Sequence, residues 1–400
     1  MRLGLLSPRY GEEVVGGTEH WLRSLCEHLA GTRGWTVEVF TTCARSAETW
    51  ADEYPPGSVE LNGVTVRRYQ SVSGRDPAYL HTYPRLQRDP RVLSRSDAED
   101  YVRLVGPVCP AAVDAAVGSD CDLVAVTPYL YWPAVRAVPR LGRRCLFHGA
   151  AHDEPELYFP MMPALFEAVG GFAFNSFAER DLVEHNFPVG HLPSAVIGNA
   201  VNEGRGDPAA ARREVGLGPD EPFALCLGRV ERSKGTTALS EMWGLYRRRR
   251  PDAPRLVVLG PVHDPPAGSD GVVLAGRRTE AVKWGLLEAC SFLVAPSAQE
   301  SFSLVVIEAW LAGRPVLVNG RCGPTVEHCR RSGGGVWFHE YGDLEVAVDR
   351  LFGDTAMRDR LGRIGEGYAR RQFGWEAVLD RYEDLADRVR RRAGTAGRAA

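Results

Sequence analysis

Residues 292–318 read FLVAPSAQESFSLVVIEAWLAGRPVLV, and this run decides the fold. Residues 292–296 form a short, continuous apolar stretch, as expected of a strand buried on both faces of a parallel sheet. The stretch empties into a small polar loop. An apolar helix is predicted over 304–312, closed by Gly313 and Pro315 where a C-terminal stop belongs. A second buried strand follows at 316–319. Strand, polar loop, helix and strand make one step of a doubly wound parallel sheet.

The same alternation extends outward in both directions. Toward the C-terminus come a strand at 335–338, helices at 343–352 and 357–372, and a last helix from 375 to about 392. Upstream lie strands at 223–227, 255–259 and 271–274, with helices at 236–249 and 280–289. Residues 203–222 are rich in Gly, Pro and charge, as a junction would be, and 195–202 read as a short strand running into a turn. The N-terminal part starts with a strand at 3–7, a glycine loop at 11–17 and a helix at 18–30. That helix has Trp21, Leu22, Leu25 and Leu29 at helical spacing and Thr18 as its expected N-cap. Further strands are expected at 37–41, 64–69, 123–127, 145–148 and 171–175. Residues 79–118, rich in Arg, Pro and aromatics, read as helical insertion and loop rather than core sheet. The expected fold class is α/β: two Rossmann-like, doubly wound parallel-sheet domains facing a central cleft. Their expected bounds are 1–195 and 196–372, with 373–400 as a terminal helix and tail.

Composition bounds the function. The chain has 400 residues, 44% hydrophobic and 25% charged, which excludes collagen-like, fibrous and disordered classes. No apolar run nears the roughly 20 residues of a membrane helix, and the N-terminus lacks the apolar core of a signal peptide. A net charge of −3 argues against a general nucleic-acid binder. Nine cysteines without CxxC spacing fit reduced thiols, so a cytoplasmic location is expected, with no metal site. Asp120-Cys121-Asp122 has a metal-like spacing but precedes its strand, at the wrong sheet edge. His152-Asp153-Glu154 lacks further ligands. The Arg-rich tail after Asp387 reads as solvated, with contact to an anionic membrane as the alternative.

The chemistry concentrates at the carboxyl ends of strands, where open α/β sheets bind ligands. The first N–H groups of the 304–312 helix, around Ser301, Phe302, Ser303 and Leu304, would suit a phosphate. Glu300 lies in the loop before the helix and Glu308 about one turn inside it. They are separated by on the order of 10 Å, the span between the sugar and ribose hydroxyls of a nucleotide sugar. Glu308 sits among apolar residues and needs a partner, an arginine on the bland reading. In LCLGRVERSKG (225–235), Arg229 and Lys234 follow a buried strand and could neutralise a departing diphosphate. Only Lys234 and Lys283 are lysines among 48 basic residues, which favours a purpose for Lys234. Gly16-Gly17 would let backbone approach a ligand, and His148 ends a strand facing the expected cleft.

These segments together resemble glycosyltransferase family 4, the retaining GT-B transferases. PSAQESFSLVVIEAWLAGRPV resembles the family's donor-site signature and LGRVERSKG its phosphate element. Gly16-Gly17-Thr18-Glu19, Asn175-Ser176 with Glu179-Arg180-Asp181, Ile197-Gly198-Asn199 and Phe373-Gly374-Trp375 follow in the expected order. The resemblance implies that Arg229 and Lys234 hold the diphosphate, Glu308 the ribose and Glu300 the donor sugar, the last with the 302–304 backbone. Gly17 would approach the β-phosphate, Asn199 would belong to the donor site, and His148 would lie near the reacting centre. It implies an acceptor-side N-terminal domain, a donor-binding C-terminal domain and a last helix crossing back to the former. Front-face attack without metal or cofactor would move a sugar from a UDP-sugar, or alternatively a GDP-sugar, to a small hydroxylated acceptor, in metabolite or glycoconjugate synthesis. Ser303 where many relatives have Gly, Ala200 and Asn202 for Gly and Asp, and the 319–329 stretch depart from the pattern. A nucleotide-sugar epimerase of the same shape, or a sugar-nucleotide binder without catalysis, are the alternatives.

Overall fold

The computed structural model describes residues 1–396 except Val15 and Ser269. Val15 of the glycine loop and the last four residues of the tail therefore lie outside the described residues. The chain divides into two compact units: Met1–Gly198 together with the chain from Val378, and Asn199–Ala377.

The first unit is built from β1 (Arg2–Leu6), α1 (Gly17–Arg33), β2 (Thr36–Thr42), β3 (Gly57–Leu61), β4 (Val64–Tyr69), α2 (Tyr79–Arg88), α3 (Arg95–Val105), α4 (Pro110–Gly118), β5 (Leu123–Val126), α5 (Trp132–Leu141), β6 (Cys145–Phe147), α6 (Met162–Glu167), β7 (Gly171–Phe174), α7 (Phe177–Asn186) and β8 (Ser194–Val196). Its eight strands run in the order β3-β4-β2-β1-β5-β6-β7-β8. Every neighbouring pair is parallel except β3 with β4, an antiparallel edge hairpin. Strand β3 (GSVEL) escaped the sequence reading because it is an exposed edge strand with no apolar run to mark it.

One expectation needs correction here. Thr18 does not cap α1: the helix starts at Gly17, its N-cap is Gly16, and no side chain caps it. The 79–118 stretch is helix and loop with no strand, as expected, and its helices enter the core. Leu86, Ala98, Val102, Ala112, Val113 and Ala116 are at most 2% exposed and belong to the unit's main hydrophobic cluster. Arg and Pro enrichment masked an amphipathic pattern that buries one face of each helix.

A half-buried carboxylate ties this insertion region's neighbour in place. The Tyr129 hydroxyl donates to Glu154 at 2.6 Å, and the Tyr101 hydroxyl of α3 donates to Glu156 at 2.8 Å. Burial pushes the Glu154 carboxyl up from its ordinary 4.5 to about 7. A carboxyl that binds its proton more tightly when folded stabilises the fold at low pH and loses that advantage as pH rises. Glu154→Gln, which keeps the acceptor without the charge, is therefore expected to gain on the wild type between pH ~4.5 and ~7, by up to about 3 kcal/mol. Urea unfolding of both proteins across that range checks it; parallel pH curves would contradict it.

The second unit comprises α8 (Pro208–Glu214), β9 (Phe223–Leu227), α9 (Thr236–Arg249), β10 (Arg255–Leu259), β11 (Val272–Gly276), α10 (Glu280–Ala289), β12 (Phe292–Ala295), α11 (Leu304–Leu311), β13 (Val316–Asn319), α12 (Gly323–Ser332), β14 (Gly335–Phe338), α13 (Tyr341–Gly353) and α14 (Thr355–Phe373). All six strands are parallel, in the order β11-β10-β9-β12-β13-β14. Numbered from its first strand this is 3-2-1-4-5-6, the Rossmann order. Helices α8 and α12 were not predicted. Helix α12 opens with Gly-Pro, which reads as a turn, although proline suits the first turn of a helix.

The final helix, α15 (Trp375–Ala396), starts in the second unit and counts with the first from Val378. The division thus falls a few residues past each expected bound, at 198/199 and 377/378. Val378, Leu379, Tyr382, Leu385, Ala386 and Val389 of α15 are at most 1% exposed, so one whole face of the helix is core. No described helix is long and apolar enough to cross a membrane. All nine cysteines are buried and unpaired.

Candidate active site

In the second unit the strand order reverses between β9 and β12, so the loops leaving these strands diverge and open a crevice at their carboxyl ends. The first loop is drawn tight by Thr236, whose Oγ1 donates to the Arg229 carbonyl at 2.7 Å and accepts from the Glu231 N–H at 2.8 Å. Gly235 then turns the chain with φ of 69°, and a Cβ there would sit 2.5 Å from the Pro296 carbonyl oxygen. Only glycine lets the two loops approach this closely.

Across that contact Lys234 Nζ donates to Glu300 Oε1 at 2.9 Å. The side chains are 34% and 25% exposed, so the pair is open to a ligand. Arg229 stands on the same loop, just after β9. It pairs with Glu231 at 3.2 Å and is 53% exposed, so this guanidinium too is open to solvent.

Beyond Glu300 the loop is anchored by Phe302, 2% exposed and edge-on to His328 and Phe373, with ring centroids 4.8 and 4.9 Å away. Ser301 is half-buried, Ser303 is 9% exposed, and Leu304 begins α11. Ser303 takes φ of 77°, a left-handed conformation that costs a residue with a Cβ, and no side chain caps the helix. The start of α11 therefore has no side-chain cap and carries the positive end of the helix dipole. Ser303→Gly is expected to raise stability by about 0.5–1 kcal/mol, read as an increased urea midpoint, with no loss of binding at this helix end.

Glu308 lies one turn inside α11, its side chain 13% exposed, and its partner is Lys283 of α10 rather than an arginine. Lys283 Nζ donates to Glu308 Oε1 at 2.7 Å, pairs with Glu280 at 2.7 Å and lies 5.6 Å from the Trp284 ring centroid. Burial pushes the Glu308 carboxyl up, and the Lys283 charge pulls it back toward ionisation. Burial works against the Lys283 charge, but Glu308 and Glu280 outweigh it and hold the ammonium above its ordinary value. Both lysines of the chain thus sit on the two glutamates of the 292–318 segment. The scarcity that singled out Lys234 applied equally to Lys283, and that signal was missed. Next to Glu280 an open recess of about 680 Å³ is lined by Glu214, Arg277, Arg278, Thr279 and Glu280.

The remaining expected residues are distributed as follows. Asn199 opens the second unit, 7% exposed, with its side-chain oxygen unpartnered. Asn202 accepts from Trp375 Nε1 at 2.6 Å. Gly17 is exposed at the first position of α1 in the first unit. His148 is only 3% exposed, which corrects its placement as a group open to ligand. Its ring lies against Trp21 and Tyr382, Nε2 is 3.0 Å from the Tyr382 hydroxyl, and Nδ1 is buried without a partner. Burial lowers its pKa to about 3, so it is neutral at any working pH. Glu179, named above only as part of the family resemblance, accepts from the Asn175 N–H at 2.7 Å and the Ala151 N–H at 2.8 Å, fixing the loop after β6. Asp120 and Asp122 hold Arg2 at the amino end of β5. Among the described residues no cluster of His, Cys, Asp or Glu could hold a metal ion.

Two sheets of Rossmann type, the second with a phosphate-ready helix end at its switch point, define the GT-B class. Comparison with known proteins agrees. Residues 221–354 match the family "Glycosyl transferases group 1". A D-inositol 3-phosphate glycosyltransferase of Segniliparus rotundus is 30% identical over 191 residues, 44% of this chain and 42% of that protein. The chain matches about half the length of such curated relatives or less. Sucrose-phosphate synthase from Thermosynechococcus elongatus superposes with a TM-score of 0.72 over 97% of this chain and 98% of that one, at 20% identity. Anabaena HepE, solved in complex with UDP and glucose, superposes with a TM-score of 0.65 over 97% and 98%, at 16% identity. By sequence, residues 221–354 resemble the group 1 glycosyl transferases, and the fold of the chain is GT-B.

Proposed function

We propose that this chain transfers a sugar from a nucleoside-diphosphate donor to a hydroxylated acceptor, with retention of anomeric configuration and without a metal ion. The observation that carries this is the convergence, at one switch point, of the Lys234–Glu300 pair, the uncapped start of α11 and the Lys283–Glu308 pair one turn further in. A nucleotide sugar spans these three in order. Its sugar hydroxyls bond to Glu300, its diphosphate lies over the helix end beside Lys234, and its ribose hydroxyls donate to Glu308. The base then falls toward the recess beside Glu280.

In the reaction the bond from the anomeric carbon to the β-phosphate oxygen breaks. The ammonium of Lys234 and the α11 dipole stabilise the charge left on the diphosphate. The acceptor oxygen bonds to the same face of the anomeric carbon, and its proton passes to the departing phosphate oxygen. UDP is the first nucleotide to try, since HepE was solved with it. Incubating the purified chain with UDP-, GDP- and ADP-sugars and an acceptor library tests the reading. Nucleotide release that needs an acceptor, survives EDTA and gives a retained anomer by NMR is the expected result. Solvent deuterium entering the donor sugar without acceptor, or binding with no turnover in any combination, would overturn it.

A further inference from the structure

The loop between β12 and α11 is held from behind by residues 319–328, at the end of β13 and on α12. At its start, Asn319 Nδ2 donates to the Pro296 carbonyl at 2.8 Å. In its middle, the Glu300 N–H reaches the buried Cys322 thiol. At its end, the buried His328 ring meets the Phe302 ring edge-on at 4.8 Å, and the Phe302 carbonyl lies within reach of the imidazole.

The third of these supports is the costly one. His328 stands in a box of rings, with Phe373 at 5.4 Å and Trp310 and Tyr368 at 6.3 Å between centroids. Nδ1 lies 3.5 Å from the Tyr368 hydroxyl, and Nε2 is buried without a well-formed hydrogen bond. Burial lowers the pKa to about 4 against the pull of the Phe302 carbonyl, so the ring is neutral at neutral pH and carries one N–H. An apolar side chain of similar volume would fill this box without leaving a polar atom poorly satisfied. What the imidazole adds is a donor beside a carbonyl. That carbonyl governs the N–H on the far side of the same peptide. The Phe302–Ser303 bond is trans, so its C=O and N–H point in opposite directions. Holding the carbonyl toward His328 turns the Ser303 N–H away from the core, and that N–H has no acceptor among the described residues. A flip of this peptide would change φ of Ser303 and release its left-handed conformation at 77°. Such a conformation persists only where the surroundings fix it.

We propose that His328 is a positioning residue: its imidazole N–H holds the Phe302 carbonyl inward and so presents the Ser303 N–H to the ligand at the start of α11. On the reading under Proposed function, which this role rests on, that ligand is the diphosphate of the donor. His328 touches no substrate and acts only through the Phe302–Ser303 peptide.

Hydrogen exchange, urea melts and UDP titration of the full chain test this on the wild type and His328→Leu. The variant nearly keeps the volume and loses the N–H, so its urea midpoint should match the wild type. Exchange of the amides of residues 300–306 should rise at least ten-fold while β12 and β13 exchange as before, and UDP should bind at least ten-fold more weakly. His328→Gln, which restores a donor, should recover part of both effects. Exchange and UDP affinity unaffected in His328→Leu overturn the proposal. A lowered midpoint with faster exchange across the whole second unit also overturns it, because that pattern marks a residue that only packs. Faster exchange confined to 300–306 with UDP affinity unchanged removes the role toward the ligand and leaves the transferase reading intact. The same confined change, in a chain that binds neither UDP, GDP nor ADP, upholds the positioning of the peptide and sinks the transferase reading.

Discussion

Lys283→Met is expected to destabilise the chain by about 3–5 kcal/mol at neutral pH, because it strands the buried Glu308 carboxylate without its cation. The sign of the pH dependence follows from the same geometry. Burial already pushes the Glu308 carboxyl up, and removing the Lys283 charge raises it further. A carboxyl with a raised folded-state pKa loses stability as pH rises, so the deficit of Lys283→Met should shrink on acidification toward pH ~4. Denaturant melts at pH 4.5 and 7.5 read this directly, and a deficit that does not change with pH would contradict it. The donor should respond in parallel. On the proposed reading Glu308 accepts from the ribose hydroxyls, and without the cation that orients it KM for the donor should rise about ten- to a hundred-fold with a smaller change in kcat. Lys283→Arg, which restores the charge, should recover most of both effects.

Lys234→Ala is expected to do the opposite: little to stability and much to turnover. Its pair with Glu300 is a quarter to a third exposed, and such pairs contribute about 0–1 kcal/mol. The thermal midpoint should therefore barely move. A fixed cation beside a departing diphosphate contributes far more to the transition state than to the ground state, so kcat should fall about 10²–10³-fold. Glu300→Gln should retain the fold and raise KM for the donor sugar. Single-turnover assays with the best donor of the panel, alongside melting curves, separate the two lysines. Full turnover in Lys234→Ala would remove the ammonium from the reaction.

The contrast between these variants shows what the sequence discloses. Residues 292–318 carry strand, loop and helix in an unbroken local pattern, so both the sheet step and the two glutamates could be read from it. The pairing of Lys283 with Glu308 joins residues 25 positions apart through tertiary packing, and no spacing rule announces it. The Arg229–Glu231 pair was not announced either, although the two residues lie only two positions apart. His148 was placed correctly at a strand end, but what covers it, Tyr382, arrives from 234 residues later. Hidden elements had local causes. Strand β3 lacks apolar residues to mark it, and α12 begins with a dipeptide that ordinarily signals a turn. The terminal helix was legible as a helix from its amphipathic spacing, whereas its assignment to the first unit depends on which core its apolar face enters.

Lysine scarcity has a practical consequence. A chain whose two ε-amines both sit on the signature glutamates presents almost no other primary amine to acylating or reductively alkylating reagents. Such a reagent becomes a site-directed label here. Lys234, at 34% side-chain exposure, should react before Lys283, at 18%, and a bound nucleotide should shield it. Surface immobilisation through amines would, by the same reasoning, silence this protein while leaving it folded.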